Sequence, residues 1–383
     1  MNSKKKKGQK NFTIIEFCLS IFAFMVVTIL RPSSQFSEKE NRVLAEMPEI
    51  KIDDILNGDF EKNYEKYLSD QFILRDQWIS LKTHIERLIL KRESKDIYFA
   101  KEGYLIEKHT GTFSTQIAKR NIISLMNFVK KYDEQFGRSH ISVLIVPNAI
   151  DILQDKLPPF ASSGDGEDYI EQIGKSLPEK VWIDIVSILR EHSSEEIYYR
   201  TDHHWKTLAA FYAYQAWARK YGYVIPKLAD YEIKKITDHF EGTIQSKLGI
   251  DTIKDSIELF YPINRSTYTI YDKSTNRTNK SLYDHTVLDK KNKYSIYFGG
   301  NAPFLQIKTE IENERKILVI KDSYANCFIP FMLGEFQEID VLDLRYTNQR
   351  LSEIISKGRY TDILILYNVA GFAEDISISK LLN

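Results

Sequence analysis

With 383 residues, 43% of them hydrophobic and 28% charged, the chain can bury the core of one large folded body, or of one body plus a stalk. Its 53 Lys and Arg balance 53 Asp and Glu, which leaves no electrostatic case for nucleic acid, because phosphate backbones select clustered positive charge. Two cysteines, Cys18 and Cys327, form no CxxC pair and are too few for a disulfide framework, so the core must hold the fold.

At the N-terminus, Lys4, Lys5, Lys6, Lys7 and Lys10 precede a largely apolar run from Phe12 to Leu30, broken chiefly by Glu16. At a rise of about 1.5 Å per residue, such a helix nearly crosses a hydrocarbon core of about 30 Å. The lysines would stay inside under the positive-inside rule. The expectation for residues 1–31 is therefore a cytoplasmic lysine block and a transmembrane signal anchor, single-pass in the cell membrane, with everything after it extracytoplasmic. A cleaved signal peptide follows the same plan, but Arg31-Pro32-Ser33-Ser34-Gln35 offers no small-x-small site directly behind the run.

Residues 32–95 are charged and periodic. Phe60, Tyr64, Tyr67, Leu68 and Phe72, then Trp78, Leu81, Ile85, Leu88 and Ile89, recur at spacings of three and four, which predicts amphipathic helices forming a helical neck. Asp96 to Ile106 reads as a hairpin turning at Glu102-Gly103.

From there to residue 383 strands and helices alternate. Apolar runs at Ile141–Pro147, Tyr294–Phe298, Ile317–Ile320, Ile339–Leu344 and Ile363–Tyr367 suit strands buried on both faces. Helices are predicted over Gln116–Tyr132, Lys206–Tyr221, Asn326–Phe336 (with Pro330 shortening or kinking it) and Leu351–Lys357. This alternation predicts an α/β body over 96–383, three layers with a mostly parallel sheet. An insertion of short strands and loops, rich in Tyr, Thr, Lys and Asn, interrupts it at about 226–292.

Two segments carry chemistry. The first, Tyr198-Tyr199-Arg200-Thr201-Asp202-His203-His204-Trp205, lies just ahead of a predicted helix. An Asp two residues before a His can turn its carboxylate to the imidazole, fixing the tautomer and stabilising the imidazolium formed during turnover. Two other readings stay open: Thr201 or Asp202 as a helix N-cap with incidental histidines, and a metal held by His203 or His204, which no HExxH spacing supports. The second segment, Lys316 to Asn326, runs from an apolar strand into a polar turn carrying Ser323. A serine there projects from the C-terminal edge of the sheet, where α/β active sites lie; the plain alternative is a helix-capping serine. Gly299-Gly300-Asn301 and Asn368 also follow predicted strands, where glycines permit close backbone approach and asparagine can donate to an oxyanion; turn chemistry is their alternative.

Together these segments resemble the family named for the string Asp202-His203-His204-Trp205, the DHHW proteins, which are similar to alginate O-acetylation proteins and, more distantly, to SGNH hydrolases. Ser37 to Arg42, Asp70-Gln71-Phe72 with Arg75-Asp76, Gly299-Gly300-Asn301, Lys321-Asp322-Ser323-Tyr324 and Asp343-Leu344-Arg345-Tyr346 carry the rest of the resemblance. It implies an SGNH-hydrolase-like catalytic domain with Ser323 as nucleophile, His204 as general base and Asp202 as its orienting acid. Gly300 or Asn301 and Asn368 would serve the oxyanion, with Tyr324 beside the substrate. SGNH enzymes place the serine first and the Asp/His pair last, so the order here is permuted, which a triad tolerates because geometry defines it. The activity implied is serine-dependent O-acyl transfer, most simply of acetyl, to a cell-surface or secreted polysaccharide, with no metal or cofactor and with a membrane-bound O-acyltransferase partner relaying the donor. The alternatives are a carbohydrate acetylesterase with the same residues, and a non-catalytic polysaccharide-binding or scaffold protein of an envelope synthesis complex.

Overall fold

A computed structural model describes residues 2–37, 42–136, 140–264 and 267–382. Glu38 to Asn41, part of the Ser37–Arg42 stretch, lie outside the described residues. The chain forms two compact units, Met1–Leu90 with Ser246–Ile250, and Lys91–Gln245 with Asp251–Asn383.

The first unit begins with a helix over Asn2–Leu30. Among the described residues, however, no helix is long and apolar enough to cross a membrane, so the transmembrane anchor is not supported. Within the run, the Ser20 and Thr28 hydroxyls donate to the carbonyls of Glu16 and Phe24. The periodic segment does fold as helices, over Ile52–Asn57, Asp59–Gln71 and Arg75–Leu88. Asp70 is their main polar anchor. It accepts 2.9 Å hydrogen bonds from Arg42 Nη1 and the Ala45 N–H, and the Arg42 guanidinium holds its carboxyl down at about 2.

The second unit opens with the hairpin, Ile97–Phe99 against Leu105–Glu107; Glu102 and Gly103 take the positive φ angles of the turn. Its main sheet has seven strands: β1 Ile141–Val146, β2 Tyr268–Asp272, β3 Arg277–Asn279, β4 Phe304–Thr309, β5 Lys316–Lys321, β6 Glu338–Leu342 and β7 Asp362–Asn368. Their order across the sheet is β3-β2-β4-β6-β5-β7-β1. The β6-β5-β7-β1 half is parallel, whereas β4, β2 and β3 pair antiparallel. The sheet is therefore mixed rather than mostly parallel, and two strands of the expected insertion complete it. The remainder of that insertion contains an antiparallel ribbon, Tyr231–Phe240 against Asp255–Pro262.

Every residue of β1 is buried. Since successive side chains point to opposite faces, both faces of that strand are covered. Trp217, on the helix Thr207–Tyr221, reaches the Ser142 hydroxyl of β1 with its Nε1–H at 3.0 Å. The helix Gln116–Phe136 packs against the short helix Val369–Glu374 that follows β7, and there Asn121 Nδ2 donates to the Phe372 carbonyl.

Three expected elements differ. Tyr294–Phe298 is no strand; Lys293–Ile296 is a 3-10 turn, because its Tyr side chains pack inward on successive turns. Asn326–Phe336 is two 3-10 segments, Ser323–Cys327 and Ile329–Gly334, with Pro330 at the start of the second. The helix after the Asp/His segment starts at Thr207 with Lys206 in the N-cap position, so neither Thr201 nor Asp202 caps it.

The topology decides what meets at one edge. The C-terminal ends of β1, β5, β6 and β7 lie side by side, which gathers Asn148, Ser323, Asp343 and Asn368. Because β4 is antiparallel to β6, with Phe304 opposite Leu342, it is the start of β4 that lies there, and Asn301 just precedes it.

Candidate active site

The segment carrying Asp202 folds back on itself. Tyr198 and Trp205 form an antiparallel bridge, and the N–H groups of Tyr199 and Lys206 donate to the carbonyls of His204 and Ile197. Beneath it the buried carboxylate of Asp255 accepts from the N–H groups of Arg200 and Thr201 and from the Thr201 hydroxyl, at 2.6 to 3.0 Å. Two aromatic side chains then stitch this segment to the serine turn. Trp205, wholly buried, donates from Nε1 to the Tyr324 carbonyl at 2.9 Å, and the Tyr324 hydroxyl donates to the His203 carbonyl.

The stitching brings the predicted residues together. His204 Nδ1 is 2.6 Å from Asp202 Oδ1, and His204 Nε2 is 2.8 Å from Ser323 Oγ. An ionised carboxylate only accepts, so Nδ1 carries the proton and Nε2 presents its lone pair to the serine hydroxyl. Asp202 is fully buried, and an unpaired charge there would cost several kcal/mol. Its partners offset this: Oδ1 also accepts the His204 N–H, and Oδ2 accepts the Thr243 N–H and hydroxyl at 2.8 and 2.9 Å. Burial opposes its ionisation, but the neighbouring His203 and His204 and these hydrogen bonds outweigh it and hold the carboxyl well below its ordinary range.

His204 is pressed between rings. Tyr294 stacks on it with centroids 3.7 Å apart at 16°, and His203 lies 3.9 Å away. Burial in this aromatic slot, with the His203 charge adding to it, lowers the imidazole to about 4. It therefore stays neutral, as a proton acceptor must. The His203 ring is half-buried and its Nδ1 donates to Thr243 Oγ1 at 2.7 Å, so it supports Asp202 through Thr243.

Ser323 sits at the first position of the 3-10 turn after β5, with Asp322 as the N-cap. Asp322 accepts from the N–H groups of Tyr324 and Asn368 and from Asn368 Nδ2, at 2.6 to 2.8 Å. Two of the expected ligand-facing residues are therefore occupied otherwise. Asn368 turns its amide nitrogen to Asp322 and its oxygen to the Gly371 N–H, as a cap between β7 and the next helix. Tyr324 is wholly buried with its hydroxyl committed, so it braces the site instead of lining it. Gly300 and Asn301 do lie in a tight turn at the same edge: Phe298, Gly299 and Gly300 all have positive φ, and Asn301 is exposed. Gly300, at φ 118, occupies backbone space that residues with a side chain rarely adopt.

Cys327 is buried and its thiol is pushed up to about 12, which removes it as a competing nucleophile. Ligand atoms of Asp202, His203 and His204 lie within 4.8 Å of one another, close enough to share a cation, but both His204 nitrogens and both Asp202 oxygens are already in protein hydrogen bonds.

Thr243, Gly242 and Tyr294 were not legible in the sequence. Gly242 is required by close approach, since a Cβ there would stand 2.4 Å from the Asp202 Cβ and from the Thr201 carbonyl oxygen. A Gly-Thr pair in a loop gives no local sign of that role.

Residues 108–342, more than half of the chain, match the family described as DHHW protein, and they include both the Asp202–Trp205 string and Ser323. The chain belongs to the DHHW family. Among solved structures, a DHHW family protein from Eubacterium siraeum is 23% identical, covers 76% of this chain and 96% of its own, and superposes with a TM-score of 0.62. Bacillus cereus PatB1 is 21% identical, covers 72% of this chain and 97% of its own, with a TM-score of 0.61. Its structure with a sulfonyl adduct is 19% identical over 73% and 98%, with a TM-score of 0.60. These likenesses show a shared fold. The O-acetyltransferase domain of Pseudomonas putida AlgJ superposes more loosely, at 9% identity over 75% and 99% and a TM-score of 0.44. No curated protein matches by sequence. For this DHHW protein, the Asp-His-His-Trp string thus has a division of labour: one carboxylate, one supporting and one central imidazole, and an indole that docks the segment on the serine turn.

Proposed function

We propose that this DHHW protein is a serine-dependent O-acyltransferase, most simply an O-acetyltransferase, acting on a polysaccharide. The observation that carries it is the continuous hydrogen-bonded line from Asp202 through His204 to Ser323, with the base neutral and the carboxylate ionised. A serine hydroxyl is a weak nucleophile until an adjacent base can take its proton.

In the first half-reaction Ser323 Oγ attacks the carbonyl carbon of an acyl ester while His204 Nε2 takes the hydroxyl proton. Asp202 keeps the ring in place and offsets the positive charge it gains. The tetrahedral intermediate collapses as His204 passes that proton to the leaving oxygen, giving acyl-Ser323 and a free alcohol. In the second half a sugar hydroxyl gives its proton to His204 and attacks the acyl group; Ser323 recovers the proton and the ester product leaves. Donors for the developing oxyanion come from the Ser323 N–H, which as the first residue of its turn has no acceptor within it, and from the Asn301 amide at the start of β4. PatB1, a protein of this fold, takes a sulfonyl adduct, and sulfonylating reagents select activated nucleophiles, which supports the same chemistry here.

We further place the activity outside the cytoplasm. The lysine block and the apolar residues behind it support export, and no membrane span is needed for that step. An acetyl donor handed over by a membrane-bound acyltransferase would suit that location. Fractionation of cells carrying the full chain checks it: recovery wholly in the cytoplasm contradicts the placement.

The test supplies an activated aryl acetate with and without an oligosaccharide. Acetylated sugar in the wild type, and loss of more than about a thousandfold in Ser323→Ala, is expected. Acetate alone, still dependent on Ser323, makes the protein an esterase. Turnover indifferent to Ser323→Ala leaves only a binding or scaffold role.

A further inference from the structure

Below the serine turn lies a buried charge that the chemistry above does not use. Lys321, the last residue of β5, is 2% exposed. Its Nζ donates to Asn326 Oδ1 at 2.8 Å and to Asn301 Oδ1 at 3.3 Å, and lies 3.8 Å from the carboxylate of Asp343 at the end of β6. Asp343, wholly buried, is held from its other side by Arg345, with Nε at 2.9 Å and Nη2 at 2.6 Å. An isolated buried ammonium costs several kcal/mol, so a lysine kept here in place of an apolar side chain calls for a reason beyond packing.

The reason is the direction of the hydrogen bonds. An ammonium has three donors and no acceptor. Lys321, two residues before Ser323, and Asn326, three after it, both donate to Asn301 Oδ1, the latter at 3.4 Å. An asparagine amide can otherwise turn either end toward its surroundings. With two donors on its oxygen, Asn301 has one orientation, and its Nδ2 finds no acceptor among the described residues. That free donor stands on an exposed residue, at the edge of the sheet that carries Ser323, behind a turn of three positive φ angles.

We propose that Lys321 is a positioning residue for acyl transfer: its buried ammonium fixes the Asn301 amide so that Nδ2 is offered to the oxyanion. The inference rests on the acyl-serine route proposed above. The groups around Lys321 are Asp343, Asp322 and Arg345; burial lowers its ammonium to about 8, the Asp343 carboxylate resisting this.

The experiment compares kcat and KM for an activated aryl acetate in Lys321→Met, Asn301→Ala, the double variant and Asn301→Asp, with Ser323→Ala as reference. Removing one oxyanion donor costs on the order of a hundredfold in kcat. Asn301→Ala is expected to lose about that much, Lys321→Met about tenfold or more with KM little changed, and the double variant no more than Asn301→Ala alone, because the lysine acts through the amide. Asn301→Asp keeps an oxygen for Lys321 but has no N–H; it should melt no lower than the wild type and still lose kcat like Asn301→Ala. That variant decides the matter if Lys321→Met does not fold. Losses that multiply in the double variant, or an Asn301→Asp protein with wild-type kcat, overturn the role of Lys321 while Ser323→Ala still abolishes turnover. Turnover that survives Ser323→Ala overturns the acyl-serine route, and the positioning role with it.

Discussion

His204 Nε2 stands 2.8 Å from Ser323 Oγ although 119 positions separate the two residues in the chain. The contact is held from both sides. Trp205, next to His204, donates to the carbonyl of Tyr324, next to Ser323, and Tyr324 returns a hydrogen bond to His203. Each reacting residue is thus fixed through its neighbour, which leaves the reacting atoms free of bonds that chemistry would have to break.

Replacing Trp205 by Phe keeps an aromatic ring in the core but removes the donor to Tyr324. The carbonyl would keep only the weak Cys327 thiol donor at 3.5 Å, so the lost hydrogen bond should cost about 1–2 kcal/mol in unfolding free energy, read from urea titration, and kcat should fall further than KM rises. A variant as stable and active as the wild type would show that the stitch is dispensable.

Asp202→Asn retains shape but offers His204 an amide that can donate as well as accept, so the imidazole is no longer held in the reactive tautomer. The expected outcome is a fall in kcat of about a thousandfold or more, with substrate affinity preserved. The Thr243 side chain makes one of the hydrogen bonds to the same carboxylate; Thr243→Val should give a smaller loss, about tenfold, in the same assay.

The pH profile has a definite sign. His204 works as a neutral base, and its aromatic slot lowers it from an ordinary 6.5 to about 4. The acid limb of kcat/KM should therefore be flat through pH 6.5 and fall toward pH 4. Stability follows the same window: the unfolded imidazole takes up its proton near 6.5, the folded one near 4, so between them the unfolded state binds more protons and stability declines as pH falls. An acid limb centred at 6.5 would place His204 in a wetter setting than the one described.

Gly242→Ala tests the loop that carries Thr243. Its added carbon would meet Asp202 and the Thr201 carbonyl at 2.4 Å, so either the loop or the carboxylate must shift. A loss of about 1–3 kcal/mol in stability, with activity reduced at temperatures where the protein is still folded, is expected from thermal melts and rates measured together.

The parallel half of the sheet was legible in the sequence because strands buried on both faces leave continuous apolar runs, as at Ile141–Val146 and Asp362–Asn368. Tyr294–Phe298 looked the same by composition and is a 3-10 turn, since Tyr294 is drawn onto His204 and the Tyr297 hydroxyl onto Thr207. No local pattern records such long-range partners. Asn301 was placed at the proper edge for a mistaken reason, following a supposed parallel strand, whereas it precedes an antiparallel one. Asp202, His204 and Ser323 could be singled out as candidates by residue type and spacing, while their separate roles came from the resemblance to the DHHW proteins. Asn368 and Tyr324 misled for the opposite reason: their polar groups suit a ligand equally well, and only the bonds to Asp322 and His203 reveal that they are spent on the scaffold.

The central claim is that Ser323 becomes covalently acylated, and mass spectrometry of the protein after brief exposure to an activated acetyl ester tests it most directly. One acetyl group should appear on the peptide carrying Ser323, accumulate in the absence of acceptor, disappear when oligosaccharide is added, and be absent from Ser323→Ala and strongly reduced in His204→Ala. An unmodified Ser323 in a sample that is turning over the ester, or equal labelling of the Ser323→Ala protein, would contradict it.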